Sequence, residues 1–146
     1  MQQVYTSLYV QHSFDASTRT FYTNWLPNTE AMQADDFKKE VEMWLSTSEE
    51  VQPLYIYDYC VDFLYPINPT EQVWMAHLLN PGWTNLGVLK YAHVVPEEFI
   101  TNLSVEQMFE EFHNMSLKDQ FEIRHFPERE AEEAKEWLKS SDRISL

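Results

Sequence analysis

Apolar and polar residues alternate from Val4 to Gln11, with Val4, Thr6, Leu8 and Val10 set against Tyr5, Ser7 and Tyr9. A period of two predicts a strand with two usable faces. The turn-prone SFDAST interrupts it, and the β-branched and aromatic RTFYTNWL resumes, which predicts a hairpin ended by Pro27 and Asn28. From Glu30 to Ser46 the period changes. Ala34, Phe37, Val41, Trp44 and Leu45 fall on one helical face, with Asp35, Asp36, Lys39, Glu40 and Glu42 opposite, and STSEE is expected to end that helix.

Leu54 to Tyr59 is a short β-prone run, with Pro53 tolerated near its first residue. Asn68, Pro69 and Glu71 then spell out a helix start: a cap, a residue suited to the first turn, and a partner to close a capping box. This helix is expected to stop near Asn80–Gly82. GVLKYAHVV is almost continuously apolar, as a strand covered on both faces would be. Pro96 opens a further helical stretch, with Ser104 and Gln107 as a second capping box and Val105, Met108, Phe109 and Phe112 as its core stripe. QFEIRHF alternates as a strand, and Pro127 opens a last, acidic helix with Ala131, Ala134, Trp137 and Leu138 on one side and Lys139 near its end. The order β-β-α-β-α-β-α-β-α predicts an α/β fold. It is read as a single domain over residues 1–146, a mixed, mostly parallel sheet flanked by helices with an antiparallel hairpin at its start.

Composition narrows the function classes. A chain of 146 residues, 44% apolar and 15% aromatic, buries about 70% of its extended surface and is not disordered. Its only glycines are Gly82 and Gly87, too few for a phosphate-cradling loop. A formal charge of −14 argues against nucleic acid and against anionic headgroups, and suits a basic protein partner. No apolar run approaches the ~20 residues that span a bilayer, and MQQVYTSLYVQHSF lacks the pattern of a signal peptide. One cysteine makes no internal disulfide, which fits a reducing, cytoplasmic setting.

Candidate chemistry gathers in YIYDYCVDFLYPINPTEQ, Tyr55 to Gln72. Asp58 stands at a strand end, where α/β sheets place ligands, and is kept as a site candidate. Cys60 lies between Asp58 and Asp62, whose carboxylates oppose thiolate formation, so it is expected to be an inert buried cysteine. Tyr57, Tyr59, Phe63 and Trp74 belong to an aromatic concentration that also holds Tyr55, Tyr65 and Trp83. Most of these suit a core, and some an apolar pocket or an interface. His93 and His125 lie in separate strands and become neighbours if those strands pair. Without helical i, i+4 pairs or a Cys/His motif, no metal or cofactor is expected.

The run LYIYDYC leading to PTEQVW, then LKYAHVVP, and above all FEIRHFPEREAEEAKEWL, resembles the SpoIIAA-like (STAS/SEC14-like) branch of the STAS superfamily over about Thr20 to Ser140. The resemblance implies a mixed sheet with flanking helices, usually no catalysis, and, as in classical members, binding of partner proteins. In some relatives a Ser or Thr at the helix start after a core strand is phosphorylated. The Asp-Ser-Gly-type motif is missing here. Thr70 is the only positional candidate, and no switch is expected at it. The reading is a non-enzymatic cytoplasmic binding or regulatory module for a protein partner, with a carrier of an apolar or lipid-like molecule as the alternative. An exposed hairpin edge offers a route to a homodimer.

Overall fold

The computed structural model describes residues 1–96 and 121–140. The chain is α/β, with a six-stranded mixed sheet whose spatial order equals its sequence order: β1 (Gln2–Thr6), β2 (Val10–Asp15), β3 (Thr20–Trp25), β4 (Tyr55–Tyr59), β5 (Lys90–Val95) and β6 (Glu122–Pro127). β1–β2 and β2–β3 are antiparallel, while β3–β4, β4–β5 and β5–β6 are parallel. Among the described residues the helices are α1 (Ala34–Val51), α2 (Pro69–Leu86) and α3 (Ala131–Lys139), with short 3-10 turns at Pro27–Ala31 and Glu128–Glu130. The helix expected after Pro96 lies outside the described residues.

The N-terminal region corrects the sequence reading. Val4–Gln11 is not one strand but parts of two, so the sheet opens with a three-stranded meander. The turn between them is built by Ser7, whose Oγ accepts from the backbone N–H groups of Tyr9 (3.0 Å) and Val10 (3.3 Å).

Two helices also run further than their patterns suggest. α1 continues through STSEE because Thr47 and Ser48 face the core, where Ser48 Oγ accepts the indole N–H of Trp83 at 3.1 Å. α2 continues through Pro81 to Leu86 and ends on Gly87 in the left-handed region at φ +89°. A stop at Asn80 would leave Trp83 out of the core, where it is fully buried. Gly82 allows the close approach, since a Cβ there would lie 2.7 Å from Leu45 Cδ1 of α1. The start of α2 is as expected. Asn68 Oδ1 accepts from Glu71 N at 2.8 Å, and Glu71 Oε1 accepts from Asn68 N at 3.1 Å.

α1 and α2 cover one face of the sheet over a core that includes Phe21, Trp25, Trp44, Ile56, Trp83 and Tyr91. α3 covers β4–β6 on the other, packing Ala134, Trp137 and Leu138 on Tyr57, Ala92, Val94 and Phe126. It is held there by Lys90, a fully buried lysine. The Lys90 ammonium donates to Trp137 O (2.7 Å), Ser140 O (2.9 Å) and Ser140 Oγ (3.0 Å), at the helix end where the dipole favours a cation. All six residues of β5 are buried, as its apolar run requires. No described helix is long and apolar enough to cross a membrane.

Candidate functional site

Strand register places six polar or titratable side chains in one row across the sheet. Tyr5 pairs with His12, His12 with Thr23, Thr23 with Asp58, Asp58 with His93, and His93 with His125. His12, Thr23, Asp58 and His93 are buried under α1 and α2. The bonding along the row is local. His12 Nδ1 bonds Thr23 Oγ1 at 3.0 Å, Trp44 donates to the same Oγ1 at 2.8 Å, and Tyr5 donates to Glu40 Oε1 at 2.9 Å. Burial alone pulls His12 down to about 3, so its ring is neutral.

Asp58 is the centre of the row. Trp25 Nε1 donates to its Oδ1 at 3.0 Å, the Tyr91 hydroxyl donates to its Oδ2, and the Cys60 thiol bonds to the same carboxylate. Burial pushes Asp58 up to about 6 against the lowering pull of those three donors. Burial likewise raises Cys60 and Tyr91, with the Asp58 charge acting in the same direction. His93 is lowered, first by burial and then by His125, whose Nδ1 lies 2.9 Å from His93 Nδ1. Ligand atoms of Asp58, Cys60 and His93 all lie within 4.8 Å of one another.

The segment after β4 closes over this group. Phe63 packs edge-on to Trp25, and Tyr65 stacks on Phe37 while donating to Glu71 Oε2 at 2.7 Å. Thr29 Oγ1 accepts from Leu64 N at 2.8 Å and ties the segment to the 3-10 turn. Beneath lies a cavity of about 20 Å³ lined by Trp25, Phe37, Trp44, Phe63, Ile67, Met75 and Tyr91 with Asp58 and Cys60. That is room for about one water and far below the ~300 Å³ of a small-molecule pocket.

The residues read together from sequence therefore separate. The pleat sends Ile56, Asp58 and Cys60 to the helix-covered face and Tyr55, Tyr57 and Tyr59 to the other. Phe63 joins the core beside Cys60, while Trp74 is half-buried on α2 near the exposed Val73 and Thr70. Asp62 is exposed and does not pair with Asp58. His93 and His125 do become neighbours across the sheet. Trp25, Tyr91 and Thr23 were not singled out, although a polar residue inside an apolar strand, like His93 in KYAHVV, is a readable signal.

On the opposite face, beside α3, a groove of about 480 Å³ is lined by Tyr22, Thr23, Asn24, Tyr57, Tyr59, Ala131, Glu132, Lys135 and Met1. Tyr22 and Tyr57 lie 5.4 Å apart, Tyr57 and Tyr59 6.5 Å, and Lys135 Nζ stands 5.4 Å from the Tyr57 ring centre. All three hydroxyls are raised, each first by burial. Acidic neighbours add to this: Asp15 and Glu132 at Tyr22, Glu132 at Tyr57, and Glu128 and Asp62 at Tyr59.

No protein-family model, curated protein or solved structure matches this chain.

Proposed function

We propose that this chain is a non-enzymatic, cytoplasmic binding module of the SpoIIAA-like STAS kind, and that its tyrosine groove takes a basic segment of a protein partner. The observation that carries the reading is the groove itself. Three tyrosines line a groove on a sheet face that α3 leaves partly open, and Asp15, Asp62, Glu128 and Glu132 lie close enough to act on their hydroxyls. Tyrosine offers an apolar ring and a polar tip, and its face attracts Lys and Arg. Glu132 is paired with Lys135 at 3.2 Å, and Asp15, Asp62 and Glu128 add a field of the same preference.

The buried polar row supports the non-enzymatic half of the reading. Asp58, Cys60 and His93 are 2%, 4% and 0% exposed, and the void beside Asp58 and Cys60 admits a water rather than a substrate.

The test is a titration of isotope-labelled protein with short Arg/Lys-rich, neutral and Glu-rich peptides, read by amide chemical shifts. The basic peptide is expected to move Tyr22, Asn24, Tyr57, Tyr59 and Lys135, and added salt to weaken it, as exposed charges are screened within about 8–10 Å. Equal response to all three peptides, or shifts elsewhere only, would overturn the groove. A turnover abolished by Asp58→Asn would overturn the non-enzymatic reading.

A further inference from the structure

We propose that Asp58, Cys60 and His93 form a closed binding site for one borderline divalent transition-metal ion of the Zn²⁺ class. The three come from the C-terminal half of β4, the residue after it, and the middle of β5. Register sets Asp58 beside His93, and the two-residue step from Asp58 puts Cys60 on the same face. A catalytic Cys–His–Asp relay would place the histidine between the other two groups. Here the Cys60 thiol bonds directly to the Asp58 carboxylate, and the three donor atoms lie within 4.8 Å of one another. Carboxylate oxygen, thiolate sulfur and imidazole nitrogen are the donors that Zn²⁺ and its neighbours take together.

The dimensions fit. Zn–ligand bonds of 2.0–2.3 Å put the ligand atoms of a tetrahedral site roughly 3.4–3.7 Å apart, so donor atoms within 4.8 Å of one another close onto an ion with about 1 Å of side-chain movement. The cavity lined by Asp58 and Cys60 measures about 20 Å³ and has room for the one water that would complete four-coordination. The outer contacts are of the right kind as well. His125 holds His93 at Nδ1, and Trp25 and Tyr91 orient the Asp58 carboxylate with N–H and O–H donors. Among the described residues no Lys or Arg lines the cavity, and Lys90 of β5 points to the opposite face. A bound dication would supply the positive charge that a buried carboxylate and thiolate need.

Because the site is sealed, the full chain is unfolded in urea with a chelator, then refolded with one equivalent of Co²⁺ as the spectroscopic probe. Cys60 is the only cysteine in the chain, so thiolate-to-cobalt charge transfer in the wild type reports on it directly. The expected result is one Co²⁺ per folded chain with that band and the visible bands of four-coordinate cobalt, displaced by Zn²⁺. His125→Gln, which spares all three ligands, is expected to weaken Co²⁺ binding about 10–100-fold. Folded wild-type protein that retains no Co²⁺ or Zn²⁺, or that binds Co²⁺ without a thiolate band, overturns the site whether or not any variant folds.

Discussion

His12 makes the fold acid-sensitive through one side chain, and His12→Asn tests this. The ring is fully buried between Tyr5, Phe21 and Trp44, and its Nε2 has no hydrogen-bond partner among the described residues. Its folded-state value is about 3, against an ordinary 6.5. The unfolded chain therefore takes up a proton below pH 6.5 that the native chain refuses until about pH 3. His12 contributes its full stability above 6.5 and loses it as the pH falls through that window. At about pH 4.5 the loss is two pH units at 1.36 kcal/mol each, or roughly 3 kcal/mol. Asn preserves a group opposite Thr23 Oγ1 and does not titrate. Its packing defect is the same at every pH and cancels in the difference. Urea melts of both proteins from about pH 7.5 to 4.5, with chelator present, should show the variant gaining about 3 kcal/mol relative to wild type. A difference flat to within about 0.5 kcal/mol, or one that grows with rising pH, would refute the reasoning.

Other substitutions probe the helices. Lys90→Met should cost about 3 kcal/mol by stripping the end of α3 of its charged donor, seen as a lower urea midpoint and faster amide exchange across Ala131–Lys139. Asn68→Ala should cost about 1 kcal/mol through loss of the α2 cap, measured the same way. Gly82→Ala drives a methyl into Leu45 and should destabilise by about 1 kcal/mol, the overpacking outweighing the helix propensity gained. Leu45→Ala should remove most of that penalty in a double-mutant cycle, and strict additivity of the two changes would show that the contact is not its source.

The elements legible in the sequence are those whose local chemistry and tertiary setting agree. Asn68, Pro69 and Glu71 signal a helix start by themselves, and the apolar run of β5 is what a strand between two covered faces needs. The misreadings have the opposite cause. Ser7 turns the chain with its hydroxyl, a weaker signal than Gly or Asn-Gly, so two strands look like one. STSEE and NPG read as helix ends, yet Ser48 and Trp83 meet across the α1–α2 interface and carry both helices onward. Asp58 was legible as a strand-end carboxylate. Its grouping with His93 was not, because register between strands distant in sequence cannot be read from either strand alone. The aromatic run was legible as a concentration, but only the pleat divides it between core and groove.

The sheet's strand order has a consequence for how the molecule is made. Each strand lies beside the one synthesised before it, so the sheet can grow at one edge as the chain leaves the ribosome, with no later strand inserted between earlier neighbours. The meander and α1 have emerged before β4 arrives with Asp58, and His93 follows one strand later. A nascent chain that has emerged only as far as Tyr59 would then hold the carboxylate on an open edge, and emergence of β5 would both cover that edge and bring up its histidine neighbour.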